Sequence, residues 1–253
     1  MFIDCMKTLK SFIIVISSVF IFSIFNSCLK DDYYSLDSYR ISALTIYPQE
    51  DNSYYFAMDD SKTLWPAASN YINFKPTKIQ RALVNYTILS DEMQGYDHFI
   101  KVNRIDTFLT KPIAENVGIE NDKVYGKDPV EILDFWVGDG FLNVYFGTKW
   151  GGKTAHFINL IEDSKGSSAY ELEFRQNAYD DPKDTYGRSL VAFDLSSLPD
   201  TGDQTVDLEV RILTYDGEKI FKVKYNSNGK VNGTPESVDN ILATSLVNIE
   251  NID

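Results

Sequence analysis

Apolar and polar residues alternate along most of the chain after Arg40, in short runs that turn residues interrupt roughly every 8 to 15 positions. A period of two places successive side chains on opposite faces of a β-strand, whereas an amphipathic helix repeats every three to four residues. Helical stripes are scarce, so the pattern predicts an all-β protein. A first group of strands is predicted over residues 40–46, 53–58, 62–65, 81–89 and 98–108.

A second group of predicted strands follows a stretch that is rich in turn residues. Residues 113–128 hold glycines, asparagines and scattered charges, a composition typical of a linker. Further along, Gly138-Asp139-Gly140 and Asp216-Gly217 are favourable hairpin turns. The second group comprises residues 130–137, 141–147, 155–162, 170–176, 189–194, 206–214 and 219–225.

The two groups predict two domains, a small OB-like β-barrel over residues 39–112 and an antiparallel β-sandwich over residues 129–226, joined by the linker 113–128. Five strands suit a small closed barrel, and about seven strands with hairpin connections suit a sandwich. Strand number alone does not select the barrel. Residues 227–253 are weakly patterned and begin with a polar, turn-rich stretch, so they predict a loosely structured tail.

The first residues read as a targeting segment. Lys7 and Lys10 precede an apolar run over residues 11–24, and the small Ser27 stands before Cys28. A membrane-spanning helix needs about 20 apolar residues, and this run is shorter. The pattern therefore predicts a signal peptide over residues 1–27. Its first residue is left open between Met1 and Met6.

Residues 25–28, with the sequence Phe-Asn-Ser-Cys, resemble a lipobox, although Phe stands where Leu is usual. The resemblance implies that the Cys28 thiol receives diacylglycerol before cleavage, so that the lipid membrane is one partner. Residues 28–38 are then a tether, and its charged start resembles the signal that sends lipoproteins to the outer face of the outer membrane. The alternative for this charged start is a solvated linker. The residues of the predicted export tether are Lys30, Asp31 and Asp32.

Composition and charge narrow the function further. The chain's only cysteines are Cys5 and Cys28, so an acylated mature chain has no intramolecular disulfide, and its core must come from residues such as its 16 Phe and 16 Tyr. The net charge is −13. Because phosphate contacts dominate nucleic-acid affinity, DNA or RNA binding is not expected. The acidity itself fits solubility.

One nucleotide-binding motif occurs in full. Residues 147–154 satisfy the pattern G-x-x-x-x-G-K-T, and residues 190–194 imitate the second nucleotide-binding strand. That chemistry requires a helix after Thr154 whose N-terminus holds phosphate. Residues 155–162 are too short and too strand-like for this helix. We therefore predict no nucleotide binding and a plain hairpin loop at Gly151 and Gly152.

Other reactive chemistry is sparse, and no cofactor is expected. The only histidines are His98 and His156, one in each predicted domain, and structural hydrogen bonding is the favoured role for both. Residues 177–184 cluster oxygen donors that suit calcium, but Asx-type turns explain them better. Paired carboxylates for glycoside hydrolysis stay open, since the spatial separation of the many Asp and Glu side chains is unknown.

The aromatic residues could either form the hydrophobic core or form a stacking platform for glycans on the surface. Core is the favoured role for most of them, because the fold has no disulfide to support it. Trp150 stands between Lys149 and glycines, and it is predicted to be the most exposed tryptophan. The predicted binding contact is therefore Lys149, Trp150, Gly151 and Gly152. The other platform candidates are Trp65, Trp136, Tyr33-Tyr34 and Tyr54-Tyr55.

Several phrases of the sequence resemble the NigD-like lipoproteins of anaerobic Gram-negative bacteria. They lie at residues 52–56, 63–70, 84–90, 95–98, 156–160 and 172–179, so the resemblance spans about 35–225. It implies an OB-like N-terminal domain and a β-sandwich C-terminal domain, and it implies no established reaction. The family is named after a bacteriocin gene cluster, so immunity to a secreted toxin is a suggestion at family level.

These observations predict a non-enzymatic cell-envelope lipoprotein that presents a binding surface to an unknown protein or glycan, with bacteriocin immunity as one version. Two alternatives stay open. The first is an envelope hydrolase that uses carboxylates, and the second is a scaffold component of an envelope assembly.

Overall fold

The computed structural model describes residues 38–229, apart from residues 72 and 164. Within those residues, no helix is long and apolar enough to cross a membrane. Several predictions lie outside the described residues: the signal peptide, the acylated Cys28, the tether residues Lys30, Asp31 and Asp32, the pair Tyr33-Tyr34 and the tail from residue 230 onward.

The first domain is a closed five-stranded barrel with the strand order β1-β2-β3-β5-β4. Strands β3 and β5 run parallel, and the other neighbours, including the closing pair β1 and β4, are antiparallel. This order is that of an OB-fold, so the predicted barrel is confirmed. Its strands are β1 (Arg40–Pro48), β2 (Tyr54–Ala57), β3 (Thr63–Ser69), β4 (Gln80–Ser90) and β5 (His98–Thr107).

Alternation along the barrel strands gives each of them an inner and an outer face. In β1, Leu44 and Ile46 point into the barrel core, where they join Phe56 and Leu64 from the next two strands. The intervening residues of β1, such as Ala43, face outward and pack elsewhere. The sequence pattern of period two therefore sets which side chains remain available on the outside of the barrel.

The second domain is a sandwich of two four-stranded sheets, as predicted. One sheet has the order β6-β11-β8-β7 and the other β13-β12-β10-β9. Most neighbours are antiparallel, but β6 with β11 and β10 with β12 run parallel. The strands are β6 (Leu109–Pro112), β7 (Glu131–Gly138), β8 (Phe141–Trp150), β9 (Phe157–Glu162), β10 (Glu171–Asn177), β11 (Thr185–Asp194), β12 (Val206–Thr214) and β13 (Gly217–Tyr225).

The chain leaves the barrel earlier than the sequence pattern indicates. Strand β6 lies within the range 39–112 predicted for the barrel, yet it pairs with β11 of the sandwich. Residues 98–108 were expected to form one strand because their alternation continues without a break. The barrel register ends at Thr107 opposite Ala82, and Phe108 is buried between the two domains instead.

Residues 113–128, predicted as a linker, lie against the sandwich. Ala114 forms a parallel bridge with Ile161 of β9. A single 3₁₀ turn, Gly118–Glu120, leads into the short helix α1 (Asn121–Tyr125). The buried Tyr125 ring stacks 6.3 Å from the ring of Phe157, centroid to centroid. The polar residues of this segment thus form local turns on the sandwich surface.

A third hydrophobic cluster joins the two domains. The outward face of β1 and β4 contributes Ala43 and Leu83, and the outer face of the β6-β11-β8-β7 sheet supplies most of the remainder. Because these side chains are buried in the contact, the barrel and this sheet form one continuous packed structure. The sandwich side of the cluster comprises Trp136, Phe141, Tyr145, Leu190 and Ala192, and Phe108 lies where the chain passes between the domains.

A buried polar network crosses the same junction. Arg81 on β4 has no exposed surface, and its Nη2 lies 2.7 Å from Asp59 Oδ1. Its Nη1 donates to Thr45 Oγ1 at 3.1 Å, and its Nε donates to Asn143 Oδ1 on β8 at 3.1 Å. The indole N–H of Trp136 donates to the other Asp59 oxygen at 3.0 Å. The network therefore fixes the barrel against the sandwich.

Strand β13 forms one edge of its sheet and carries alternating lysines. Lys222 pairs with Glu209 and Lys224 with Asp207, both on the neighbouring β12. The exposed side of this edge is therefore strongly charged.

Candidate binding surface

Four aromatic side chains form a continuous row on the outside of the barrel. Tyr47 stacks on Tyr55 with 5.1 Å between ring centroids and an angle of 10°. Tyr55 lies 5.8 Å from Tyr96, and Tyr96 lies 5.0 Å from Trp65. All four are partly exposed. We call Tyr47, Tyr55, Tyr96 and Trp65 the aromatic row.

The row follows from strand register and from one loop. Tyr47 and Tyr55 are directly paired between β1 and β2, and the inward Phe56 next to Tyr55 leaves Tyr55 on the outer face. Tyr96 comes from the β4–β5 loop. Its hydroxyl accepts a hydrogen bond from Gln49 Nε2 at 3.2 Å, so the β1–β2 loop holds the Tyr96 ring in place.

The phenols of Tyr47 and Tyr55 stay protonated at neutral pH. Burial, followed by the nearby Asp139 carboxylate, raises the pKa of Tyr47 and of Tyr55 above the usual tyrosine value. The Tyr47 hydroxyl donates to Asp139 Oδ2 at 3.0 Å. Tyr47 and Tyr55 therefore give the row uncharged rings with hydroxyl groups.

At its Tyr47 end, the row opens into a cleft of about 500 Å³ between barrel and sandwich. Binding sites occur preferentially at domain interfaces, and this cleft combines aromatic rings with polar groups. Both charged residues in its lining are acidic, Asp139 and Asp194. The rings of the lining belong to Tyr47, Phe141 and Tyr225.

Asp139 occupies the turn of the β7–β8 hairpin. Asp139 and Gly140 have φ values of 47° and 78°, and Gly138 pairs with Phe141, as in a two-residue turn of type I′. The predicted hairpin is confirmed. Burial raises the pKa of the Asp139 carboxyl, against the opposing effects of hydrogen bonds from Thr45 and Tyr47 and the charge of Arg81.

At the other end of the row, a second groove of about 370 Å³ lies beside Trp65. Tyr71, Phe74 and Lys75 line it together with residues of β3 and residues 52–54, and Lys75 is its one charged lining residue. The aromatic row thus runs between two concave surfaces, and Trp65 is shared between the row and the second groove.

The predicted contact at Lys149 to Gly152 lies on the sandwich, apart from the row. Trp150 is the last residue of β8 rather than part of a loop, and it is only partly exposed. Its indole N–H donates to the Thr154 carbonyl at 3.4 Å, and its ring lies over Gly187. Lys149 is exposed, with its ammonium 5.7 Å from the ring centroid of Tyr215. This contact stays a prediction.

The two glycines of this loop have structural reasons to be glycine. A Cβ on Gly151 would lie 2.6 Å from the Pro182 carbonyl oxygen, and Gly152 has a φ of 74°. Strand β9 begins at Phe157, so the residues after Thr154 form a strand where the phosphate-binding motif requires a helix. The segment therefore lacks the helix of a phosphate-binding loop, and the prediction of a hairpin loop at Gly151 and Gly152 is wrong, because β8 and β9 lie in different sheets.

The two histidines lie in different domains, each near an aspartate. Buried His156 has its Nε2 3.5 Å from Asp181 Oδ2, and the same oxygen accepts the Gly151 N–H at 2.5 Å. Burial raises the pKa of Asp181, but the hydrogen bond from Gly151 and the nearby His156 outweigh burial, so the pKa is lowered. His98 Nδ1 lies 3.6 Å from Asp91 on the barrel.

The oxygen-rich segment 177–184 forms the expected turn. The Tyr179 N–H donates to Asn177 Oδ1 at 2.9 Å, and the Asp181 N–H donates to the Ala178 carbonyl at 2.9 Å. The Asp181 carboxylate contacts the neighbouring loop, where it accepts the hydrogen bond from the Gly151 N–H. Within residues 38–229 as described, no group of three or more His, Cys, Asp or Glu is placed to hold a metal ion.

Sequence reasoning found part of the aromatic row. Trp65 and Tyr55 were singled out, whereas Tyr47 and Tyr96 were not. Tyr47 carries a usable signal, because it continues the outward-facing positions of β1. Tyr96 carries little signal, because it lies in a loop that the tertiary fold brings back across β2. Tyr54 and Trp136 are core residues.

Comparisons with known proteins agree with this architecture. Sequence models described as the NigD-like N-terminal OB domain and the NigD-like C-terminal beta sandwich domain match residues 43–108 and 112–225. A crystal structure from Parabacteroides distasonis, described as a toxin-related protein, is 54% identical, with a TM-score of 0.71, and the match covers 76% of this chain and 96% of that chain.

More distant structures share the fold. A NigD-like immunity protein from Bacteroides caccae is 20% identical with a TM-score of 0.55, over 81% of this chain and 100% of the other. A structure from Bacteroides fragilis described as a lipoprotein is 11% identical with a TM-score of 0.55, over 75% and 99%. A search of curated proteins gave no match.

Proposed function

The chain belongs to the NigD-like family, and from that premise we propose that it is a non-enzymatic lipoprotein of the cell envelope that binds a protein or glycan partner through the aromatic row. Relatives described as an immunity protein, a toxin-related protein and a lipoprotein fit an envelope role. Immunity to a secreted toxin is one version of this proposal.

The observation that carries the proposal is the aromatic row itself. OB-folds bind their ligands on the face of β2 and β3 and with the β1–β2 and β4–β5 loops. The row lies on that face, and Gln49 and Tyr96 come from those two loops. Large aromatic side chains that remain partly exposed on a rigid sheet are typical contact anchors.

The first experiment on function captures partners from intact envelopes with the wild-type protein and with Trp65→Ala and Tyr96→Ala. Loss of a central aromatic anchor costs about 2 kcal/mol or more, which is roughly a thirtyfold loss of affinity. We expect both variants to lose the partner. Trp150→Ala is the matched comparison, because it removes a partly exposed tryptophan from the sandwich.

The outcomes separate the alternatives. Loss of capture in Trp150→Ala alone would move the contact to Lys149 and its neighbours and would contradict the role of the row. Cleavage of the captured partner would support a hydrolase. Deletion of the gene then distinguishes the versions of binding. Sensitivity to a neighbour's toxin supports immunity, and a glycan-growth defect supports nutrient capture. Absence of both phenotypes supports a scaffold.

Membrane attachment is proposed to depend on acylated Cys28, with Lys30, Asp31 and Asp32 directing the protein to the cell surface. Each buried CH₂ of an acyl chain contributes about 0.8 kcal/mol, so Cys28→Ser is expected to shift the protein from membrane to soluble fractions. Incorporation of a fatty-acid probe measures acylation directly. Cys5→Ser is the control and should keep the label, whereas label that persists in Cys28→Ser would exclude this site.

A further inference from the structure

We infer that the aromatic row binds a basic segment of a protein partner, whose lysine and arginine side chains lie over the rings and between two acidic loops. This inference rests on the proposed function, in which the row is the contact surface. It adds the chemical class of the partner.

The two loops that flank the aromatic row are acidic. The β1–β2 loop, residues 49–53, and the β4–β5 loop, residues 91–97, contain no lysine or arginine. The hydrogen bond from Gln49 to Tyr96 joins these two loops at the row. Their five carboxylates are all exposed, and they belong to Glu50, Asp51, Asp91, Glu92 and Asp97.

Two of these carboxylates are held in the charged form. Hydrogen bonds from the Ser53 side chain and backbone lower the pKa of Asp51. The Thr63 N–H donates to Asp97 Oδ2 at 2.7 Å and is the main cause of the lowered pKa of Asp97. Two basic groups near these loops have acidic neighbours: Lys62 lies 2.9 Å from Asp60, and His98 lies beside Asp91.

The cleft at the Tyr47 end of the aromatic row is also acidic. The cleft beyond Tyr47 is lined by Asp139 and Asp194 and by no lysine or arginine. The aromatic row therefore has carboxylates in both flanking loops and in the cleft at its Tyr47 end, whereas the exposed Lys75 lines the groove at its Trp65 end. A negative potential of this shape attracts cations and repels anions, in keeping with the chain's net charge of −13.

Aromatic rings with carboxylates beside them are suited to binding cationic side chains. The faces of Trp and Tyr rings attract lysine and arginine side chains, and carboxylates beside the rings add ion pairs. A neutral glycan would stack on the same rings and could donate hydroxyl hydrogen bonds to the carboxylates, but it carries no charge for the negative potential to attract. Charge complementarity therefore favours a basic protein segment over a neutral glycan.

The test uses the full chain in detergent and three fluorescent probes: a peptide of alternating lysine and serine, the same peptide with glutamate in place of lysine, and the neutral oligosaccharide maltohexaose. Fluorescence anisotropy gives the Kd. We expect the lysine peptide alone to bind, with an affinity that falls as salt is raised because exposed charges are screened.

Substitutions in the loops and in the row test whether the lysine peptide binds at the aromatic row. The loop variant Glu50→Gln, Asp51→Asn, Asp91→Asn and Glu92→Gln keeps side-chain shape and removes four charges. It and Trp65→Ala are each expected to weaken the lysine peptide about tenfold. The control variant Glu115→Gln, Asp180→Asn, Asp184→Asn and Asp203→Asn removes four exposed charges from the sandwich segment and should change Kd by less than about twofold. Melting curves confirm that each variant is folded.

The results discriminate between this inference and the proposed function. Equal weakening by the loop variant and the control variant would mean attraction to the overall charge, and it would overturn the inference. Absence of peptide binding, with envelope capture still dependent on Trp65 and Tyr96, would overturn the basic partner and leave the proposed function standing. Maltohexaose binding that requires Trp65 would identify a glycan instead. Capture unaffected by the row variants would reject both.

Discussion

Arg81→Ala is expected to lower the free energy of unfolding by about 3–5 kcal/mol, because it leaves a mostly buried carboxylate without its charged partner. Arg81 Nη2 lies 2.7 Å from Asp59 Oδ1, and the Arg81 side chain has no exposed surface. The substitution also removes the donors to Thr45 and Asn143, so one change breaks the side-chain hydrogen bond from Arg81 to the sandwich strand β8.

Chemical denaturation measures this loss, and Arg104→Ala is the matched control. Arg104 pairs with Asp106 at 2.7 Å, but half of its side chain is exposed. Exposed pairs contribute about 0–1 kcal/mol, so the control should lose no more than that. Equal losses in the two variants would show that the buried network does not stabilise the junction between the domains.

Gly126→Ala is expected to destabilise the protein by about 3 kcal/mol or more, through backbone strain and overpacking together. Gly126 ends helix α1 with φ 74° and ψ −178°, a region that is essentially restricted to glycine. An added Cβ would lie 2.4 Å from Asn177 Cα and 2.5 Å from the Gln176 carbonyl oxygen. Both neighbours belong to the end of β10, which cannot move without disturbing the sheet.

Gly118→Ala separates the two causes. Gly118 also has a positive φ, 64°, but a Cβ there would meet no atom within 4 Å. Its cost should be about 1–2 kcal/mol, the usual penalty for a left-handed residue with a side chain. Thermal and denaturant unfolding of both variants give the comparison. A loss for Gly126→Ala that is no larger than the loss for Gly118→Ala would exclude the steric contribution.

Most of the fold could be predicted from local patterns, because alternation and turn residues act over a few positions. The hairpin at Asp139 and Gly140 is an example, since both residues tolerate positive φ and apolar strands flank them. The end of the barrel was predicted too far along the chain, because its position depends on a distant contact rather than on a local pattern. The transfer of Leu109–Pro112 to the sandwich depends on a parallel partner, β11, that lies far away in the chain.

The candidate site was less predictable than the fold. Arg81 reads as an ordinary outward position of β4, and only the tertiary structure brings Asp59 and Asn143 to it. The aromatic row likewise depends on a loop that returns Tyr96 to Trp65 and Tyr55. Contacts of this kind are set by the three-dimensional path of the chain and have no fixed spacing in sequence.

The lysines of β13 have a consequence for crowding in a membrane. Acyl anchoring, as proposed, confines copies of the protein to a plane, where the local concentration of sheet edges is high. An unprotected edge strand offers backbone hydrogen bonds to another copy, and lysines along the edge oppose such pairing. Lys219, Lys222 and Lys224 form ion pairs with Asp216, Glu209 and Asp207, so the pairing of two β13 edges would crowd or break these charged contacts. On the proposed anchoring, dense display is therefore not expected to pair the β13 edges of neighbouring copies.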